Sequence, residues 1–161
     1  MENLVEHLPF PDMGNPPEPY MLRWLANVSS RRLLNRIHYI HYDRSNSEGD
    51  RVPRRLFKVT EELDHQWHAW FDLLPMDIKP DLADSCPSPE NAVLIMRFHA
   101  AGDIIYRPFL HQALGVLPHQ DADPRIVFNA EKCLEHCRNF LNAVSHVVDR
   151  PRASMEIFLH S

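Results

Sequence analysis

The stretch AAGDIIYRPFL, residues 100–110, decides the fold class of this chain. Apolar residues recur before and within it at steps of three or four, which is the spacing of one helix face. Pro108 then lacks a backbone N–H, and its ring opposes the carbonyl of Ile104. The stretch therefore predicts a long helix that kinks or stops near Arg107.

Helix-start signals lie on either side of this stretch. Ser88-Pro89-Glu90 places a hydroxyl, a proline and an acid in the order typical of a helix N-terminus, and Asp123-Pro124 repeats the signal. A third helix should begin near Pro89 and a fourth near Pro124, ending before Pro151. The fourth helix carries an apolar stripe that we expect to face the core: Val127, Ala130, Leu134, Cys137, Leu141, Val144 and Val148.

Two more amphipathic segments precede these helices. Residues from Tyr20 to about Tyr42 have helical periodicity, and a second helix runs up to Pro75. The apolar face of the second helix comprises Leu56, Val59, Leu63, Trp67, Trp70 and Leu74. No sustained alternation typical of strands occurs, so the chain is predicted to be all-α, built of helices packed on helices.

The domain organisation follows from the prolines. Residues 1–19 are rich in proline and predict an extended lead-in, while residues 20–161 predict one helical domain. The segment Met155–His160 has the pattern of another helix but reaches the end of the sequence at Ser161. We therefore expect a partial domain whose last helix is cut short, in a fragment, a short gene model or a truncated paralogue.

Composition narrows the function classes. The 161 residues are 44% hydrophobic and 24% charged, with a formal net charge of −5, which disfavours nonspecific binding to nucleic acid or anionic membranes. No apolar run approaches the roughly 20 residues that cross a bilayer. Three cysteines in a chain of this size favour a reducing compartment. An intracellular soluble protein without membrane contact is expected.

Eleven histidines and the group Cys133, His136 and Cys137 raise the question of a metal site. A zinc site needs three or four converging ligands, and no motif with the usual ligand spacing is present. A free cysteine commonly behaves as a small buried hydrophobe. We therefore expect core packing for these cysteines, with no metal site and no cofactor in this chain.

Catalytic motifs are also missing from the sequence. The chain has no nucleophile elbow, no glycine-rich phosphate loop, and no acid and base pair beyond surface carboxylates such as Glu61 and Glu62. It is not expected to be an enzyme. Five aromatic side chains could line a ligand cavity, although core packing is the simpler interpretation: Trp67, Trp70, Phe71, Phe98 and Phe109.

Four segments in sequence order carry a family resemblance. They are LLNRIH (33–38), WFDLLP (70–75), IIYRPFL (104–110) and AEKCLEHC (130–137). Their order and spacing over residues 20 to 150 resemble the middle homology region of fungal-specific transcription factors of the binuclear-zinc-cluster family.

The resemblance implies an all-helical regulatory domain in a nuclear regulator of transcription. In that family, DNA is contacted by a cysteine cluster that holds two zinc ions, and this chain has no Cys-x2-Cys-x6-Cys run. The zinc cofactor of the family therefore has no ligands here, and no direct contact with nucleic acid is expected. A small-molecule effector is known for some family members but cannot be named from this sequence.

Two other function classes stay open. The chain is alternatively a helical interaction module that binds a protein partner or forms a homodimer through an exposed apolar face, or a bundle that binds a small molecule or metal. The residues singled out as structural or regulatory candidates are Trp67, Trp70, Arg107, Pro108 and Phe109. The guanidinium of Arg107 is expected to satisfy carbonyls freed by Pro108, so that Arg107→Ala lowers the melting temperature.

Overall fold

The computed structural model describes residues 19–45, 53–116 and 123–148. Within them the elements are α1 (Pro19–Ser45), α2 (Pro53–Asp72), α3 (Pro89–Val116) and α4 (Pro124–Val148). No strand occurs among these described residues, which confirms the predicted all-α class. The segments assigned to most of the lead-in and to the short last helix lie outside the described ranges.

Every helix begins with a proline, because the first helical residue needs no backbone donor. Ser88 Oγ accepts a hydrogen bond from the backbone N–H of Asn91 at 3.3 Å, and Asp123 Oδ1 accepts one from the backbone N–H of Arg125 at 2.9 Å. The starts predicted at Pro89 and Pro124 are thereby confirmed. Pro19 differs from the prediction, since it opens α1 instead of closing the extended lead-in.

Helix α3 runs through Pro108 to Val116, so the alternative in which it stops near Arg107 is wrong. Proline inside a helix costs about 3 kcal/mol or more in lost hydrogen bonding and ring clash. On either side of Pro108, however, α3 buries Ile105, Tyr106, Phe109 and Ala113. Burial of such side chains at about 1.5–3 kcal/mol each outweighs that cost, and the helix continues.

Helix α3 is the centre of the packing and contacts all three other helices, most extensively α4. Along α3 the contacts with α4 move to lower residue numbers, from His99 with His136 to Tyr106 with Lys132, so the two helices are antiparallel. The fully buried side chains of the core come from all four helices and the loop after α2: Ile37, Trp67, Ile78, Leu94, Ile105, Phe109 and Cys133.

The buried face of α4 is rotated from the predicted stripe. Its buried residues are Ile126, Ala130, Cys133, Ala143 and Val147, whereas Leu134, Leu141 and Val148 are 49%, 65% and 64% exposed. The predicted stripe was wrong because apolar residues are adjacent in the sequence of α4, as in Ile126-Val127 and Val147-Val148. Two neighbouring faces of the helix therefore have apolar residues at helical spacing. Three of the five buried residues, Ala130, Cys133 and Ala143, have small side chains, which let two helix axes approach closely.

Among the described residues, no helix combines the length and low polarity that a membrane span requires.

Candidate functional site

A polar cluster lies between α3 and α4, and we call it the α3–α4 cluster. It comprises His99, Asp103 and Arg107 from α3, and Cys133, His136 and Cys137 from α4. The spacing of three and four residues on each helix aligns these side chains along the line where the two helices meet. The cluster therefore joins the two helices through polar side chains.

Asp103 is the central residue of this cluster. Its Oδ1 accepts hydrogen bonds from the Sγ atoms of Cys133 and Cys137 at 3.3 and 3.1 Å. A carboxylate oxygen of Asp103 and the two Sγ atoms all lie within 4.8 Å of one another. Both thiols are free, with Cys133 buried and Cys137 half-buried. One carboxylate oxygen thus approaches two sulfurs from the opposite helix.

Arg107 binds the other oxygen of the same carboxylate. Its Nη2 pairs with Asp103 Oδ2, one turn earlier on α3. Burial alone would raise the pKa of Asp103, but hydrogen bonds from Arg107, Cys137 and Cys133 outweigh it, and the pKa of this carboxyl is lowered. Asp103 is therefore held as a charged carboxylate in a fixed orientation.

The two thiols are poor nucleophiles in this environment. Burial, followed by the hydrogen bond to Asp103 and its charge, raises the pKa of Cys133 to about 12. The same causes, burial first, raise the pKa of Cys137. Because the thiolate is the reactive form, the raised pKa lowers the reactivity of both thiols at neutral pH.

A histidine pair lies one turn along the same interface. The Nδ1 atoms of His99 and His136 are 3.0 Å apart, so one ring donates a hydrogen bond and the other accepts it. Burial, followed by the charge of His136, lowers the pKa of His99 to about 4. His136 also stacks on the ring of Tyr106 with centroids 5.9 Å apart. The pair is a neutral, buried contact between the helices.

Gly102 makes this contact geometrically feasible. A Cβ atom built on Gly102 would overlap the ring of His136. The small residues Ala101 and Gly102 are themselves buried, so α4 can lie close to the backbone of α3 at this point. The close approach also brings Cys133 and Cys137 within reach of Asp103.

Two cavities flank the cluster. One, of about 420 Å³, lies beside Asp103, Arg107 and Cys137 and is otherwise apolar, with Ile104, Phe140 and Leu141 in its wall. The other, of about 400 Å³, lies on the side of His99 and includes Ser85, Asn142 and His146. The sulfur and carboxylate atoms are therefore next to space that a small ligand could occupy.

The predicted aromatic candidates belong to the core or pack against it, and one of them, Phe98, borders the α3–α4 cluster with its ring centroid 5.4 Å from that of His99 and 6.1 Å from that of His136. Trp67 is fully buried and donates its Nε1–H to the carbonyl oxygen of Phe98 at 3.0 Å. It stacks on Trp70 with ring centroids 4.7 Å apart, and Trp70 donates to Ser29 Oγ of α1. These two residues join α2 to α3 and α1, as expected for core packing.

Phe109 and Pro108 lie further along α3. Phe109 is fully buried with its ring centroid 4.9 Å from that of Phe57, and Pro108 is half-buried. Of the five structural or regulatory candidates, the structure therefore places only Arg107 in the α3–α4 cluster. Because α3 continues past Pro108, Arg107 has no helix end to cap, and its partner is the Asp103 side chain.

The sequence analysis did not predict that Asp103 contacts the cysteines. It considered Cys133, His136 and Cys137 as one group. Asp103 and the cysteines belong to different helices, and their meeting depends on which faces pack together. The run of small residues Ala100-Ala101-Gly102 was the signal that α3 could be approached closely here.

Comparison with known proteins gives one informative similarity. The chain is 28% identical over 103 residues to Activator of stress genes protein 1 of Candida albicans. The match covers 57% of this chain and 10% of that protein, so the chain corresponds to about a tenth of the relative's length. At this level the chain is related distantly to a fungal activator of stress genes.

No protein-family model and no solved structure matches the chain.

Proposed function

We propose that this chain is part of the regulatory region of a fungal transcription factor, in the region that resembles the middle homology region of the binuclear-zinc-cluster family. The observation that carries the proposal is the similarity to the Candida albicans activator. This similarity agrees with the four motifs on the same broad class, transcription regulation in a fungus.

The positions of the four motifs support this assignment. LLNRIH (33–38) is within α1, IIYRPFL (104–110) within α3 and AEKCLEHC (130–137) within α4. WFDLLP (70–75) spans the end of α2 and the turn after it. Each motif contributes at least one buried residue to the common core, including Ile37, Leu74, Phe109 and Cys133. The motifs therefore have a packing role, as a regulatory scaffold requires.

The proposed role is regulatory, with DNA contact assigned to another module. A net charge of −5 opposes binding to phosphate groups, and the cysteine spacing of the zinc cluster is not present in the sequence. A nuclear location follows from the proposed class, and so does a non-catalytic role. Control of transcription by this chain would act through contacts of the helical domain with other protein segments.

A reporter assay tests this function. The full chain is fused to a heterologous DNA-binding module and expressed in yeast with a reporter gene, beside the module alone at equal protein level. We expect the fusion to raise or lower reporter output, and Trp67→Ala to return it to the level of the module because the core is lost. Arg138→Ala, at an exposed position of α4, is the matched control and should behave as wild type. Unchanged output from the wild-type fusion contradicts the proposal.

A second candidate function is a helical dimerisation module, favoured by the outer face of α4. Val127, Leu134, Leu141 and Val148 recur every seven residues, as one of the two apolar positions of a coiled-coil heptad does. Leu134, Leu141 and Val148 are 49%, 65% and 64% exposed. This row of side chains is therefore accessible to α4 of a second copy.

Sedimentation velocity distinguishes this candidate. A dimer is expected for the wild-type chain, and Leu134→Glu with Leu141→Glu should give a monomer with unchanged helicity. A wild-type chain that stays monomeric at high concentration excludes it.

A further inference from the structure

We propose that Asp103, Cys133 and Cys137 form a binding site for a soft divalent cation of the zinc type, with the fourth coordination position directed to the adjacent cavity. The proposal goes beyond the regulatory role and does not depend on it. It also goes against the expectation from the sequence that the two cysteines serve only as core residues.

The donor set is the first argument. Thiolate and carboxylate are established zinc ligands, and three protein ligands with one open position are a common arrangement. Two of the ligands lie one turn apart on α4, and the third comes from α3. A ligand set drawn from two packed helices is brought together by the tertiary fold, so that the site exists only when α3 and α4 are paired.

Distances give the second argument. In a tetrahedral site with Zn–S of about 2.3 Å and Zn–O of about 2.1 Å, sulfur and oxygen ligands lie about 3.6 Å apart. Asp103 Oδ1 lies 3.3 Å from Cys133 Sγ and 3.1 Å from Cys137 Sγ. Each sulfur and oxygen pair would separate by only about 0.3–0.5 Å to accommodate the cation. Side-chain rotation is sufficient for such a shift.

Charge gives the third argument and selects a divalent cation. Two thiolates and one carboxylate carry a charge of about −3, a divalent cation leaves −1, and the Arg107 guanidinium brings the group to zero. A monovalent cation would leave a net negative charge in a partly buried site, which is costly. Binding releases the two S–H protons to solvent.

Arg107 has the role of a positioning residue. Its contact with Oδ2 leaves Oδ1 directed at the sulfurs, as a hydrogen-bonded outer partner does for a metal-bound carboxylate. The cavity of about 420 Å³ adjoins Asp103, Arg107 and Cys137. A water molecule or a small anionic group in that cavity could complete the coordination beside the guanidinium.

Cobalt titration of the full chain tests the site. The chain is purified metal-free under reducing conditions and titrated with Co²⁺, which reports thiolate ligation through sulfur-to-metal charge-transfer absorption, and Zn²⁺ is then added. We expect these bands to saturate at one Co²⁺ per chain and to disappear as Zn²⁺ displaces it. Zn²⁺ should also raise the melting temperature, because it binds the folded state.

Variants assign the ligands. Cys137→Ser and Asp103→Asn should each weaken Co²⁺ binding at least about tenfold, and Arg107→Gln about 10- to 100-fold without loss of the charge-transfer bands. Cys86→Ser is the matched control, since Cys86 is an exposed cysteine outside the cluster, and it should bind as wild type. Circular dichroism checks that each variant is folded, and Cys137 and Asp103 are preferred over the fully buried Cys133 for that reason.

Three results would overturn the proposal. One is the absence of charge-transfer absorption with stoichiometric Co²⁺. Another is cobalt binding without thiolate bands, which indicates that some of the eleven histidines hold the ion. The third is wild-type affinity in folded Cys137→Ser and Asp103→Asn.

Discussion

Gly102 of α3 lies directly against the ring of His136 of α4, with no room for a side chain between them. His136 has little freedom to move, because its Nδ1 is hydrogen-bonded to His99 and its ring stacks on Tyr106. The contact between the two helices at this point therefore depends on the absence of a Cβ atom at Gly102.

Gly102→Ala is expected to destabilise the fold. Overpacking of a filled interface typically costs about 1–3 kcal/mol, and this exceeds the gain of up to about 1 kcal/mol in helix propensity. Urea denaturation should show a lower midpoint than wild type. Gly115→Ala is the matched control, since a Cβ on Gly115 meets nothing within 4 Å, and it should stabilise the protein by about 0.5–1 kcal/mol. Equal effects of the two substitutions would contradict this account of the interface.

How far the sequence predicted the structure can be seen from α3 and α4. The starts at Pro89 and Pro124 were predictable because cap residues and proline act locally. The choice between a kink and a stop at Pro108 was not, since it depends on burial of Phe109 and Ala113 against other elements. The rotated face of α4 and the meeting of Asp103 with the cysteines were also unpredictable, because both depend on which of two apolar faces packs on α3.

Trp67→Phe should cost more than Trp70→Phe. Trp67 is fully buried and its indole N–H donates to the Phe98 carbonyl, so the smaller ring leaves a cavity and removes a buried donor. We expect a loss of about 2–3 kcal/mol in the free energy of unfolding. Trp70 is half-buried and donates to Ser29, so its loss is expected to be about 1 kcal/mol. Chemical denaturation of both variants measures the difference, and a larger loss for Trp70→Phe would refute the packing assignment.

Arg107→Ala is expected to lower the melting temperature, for a reason that differs from helix capping. Without the guanidinium, the carboxylate of Asp103 faces two thiols and has lost its ion-pair partner, while its side chain is only 18% exposed. Removal of one partner from a partly buried pair should cost about 1–2 kcal/mol. Calorimetry measures the shift. Arg138→Ala, at an exposed site on α4, should change stability by less than about 0.5 kcal/mol, and an unchanged melting temperature in Arg107→Ala would remove the structural role.

Mild acid should destabilise the fold through the His99 and His136 pair. Burial, and then the charge of His136, lowers the pKa of His99 from its ordinary 6.5 to about 4. Between those two pH values the unfolded chain binds more protons than the folded chain, so the free energy of unfolding falls as the pH falls. The contribution of His99 is fully present above pH 6.5, and about 3 kcal/mol of it is lost by pH 4.

Urea denaturation at a series of pH values between about 7 and 4 measures this loss. His99→Gln keeps a polar side chain but has no titrating ring, so its stability should depend less on pH across this window than that of wild type. His111→Gln, at an exposed position of the same helix, should keep the wild-type slope. Removal of a group with a lowered pKa must reduce the difference in bound protons between the folded and unfolded states. If the free energy of unfolding depends on pH equally in His99→Gln and wild type, the buried pair is therefore not the origin of the acid sensitivity.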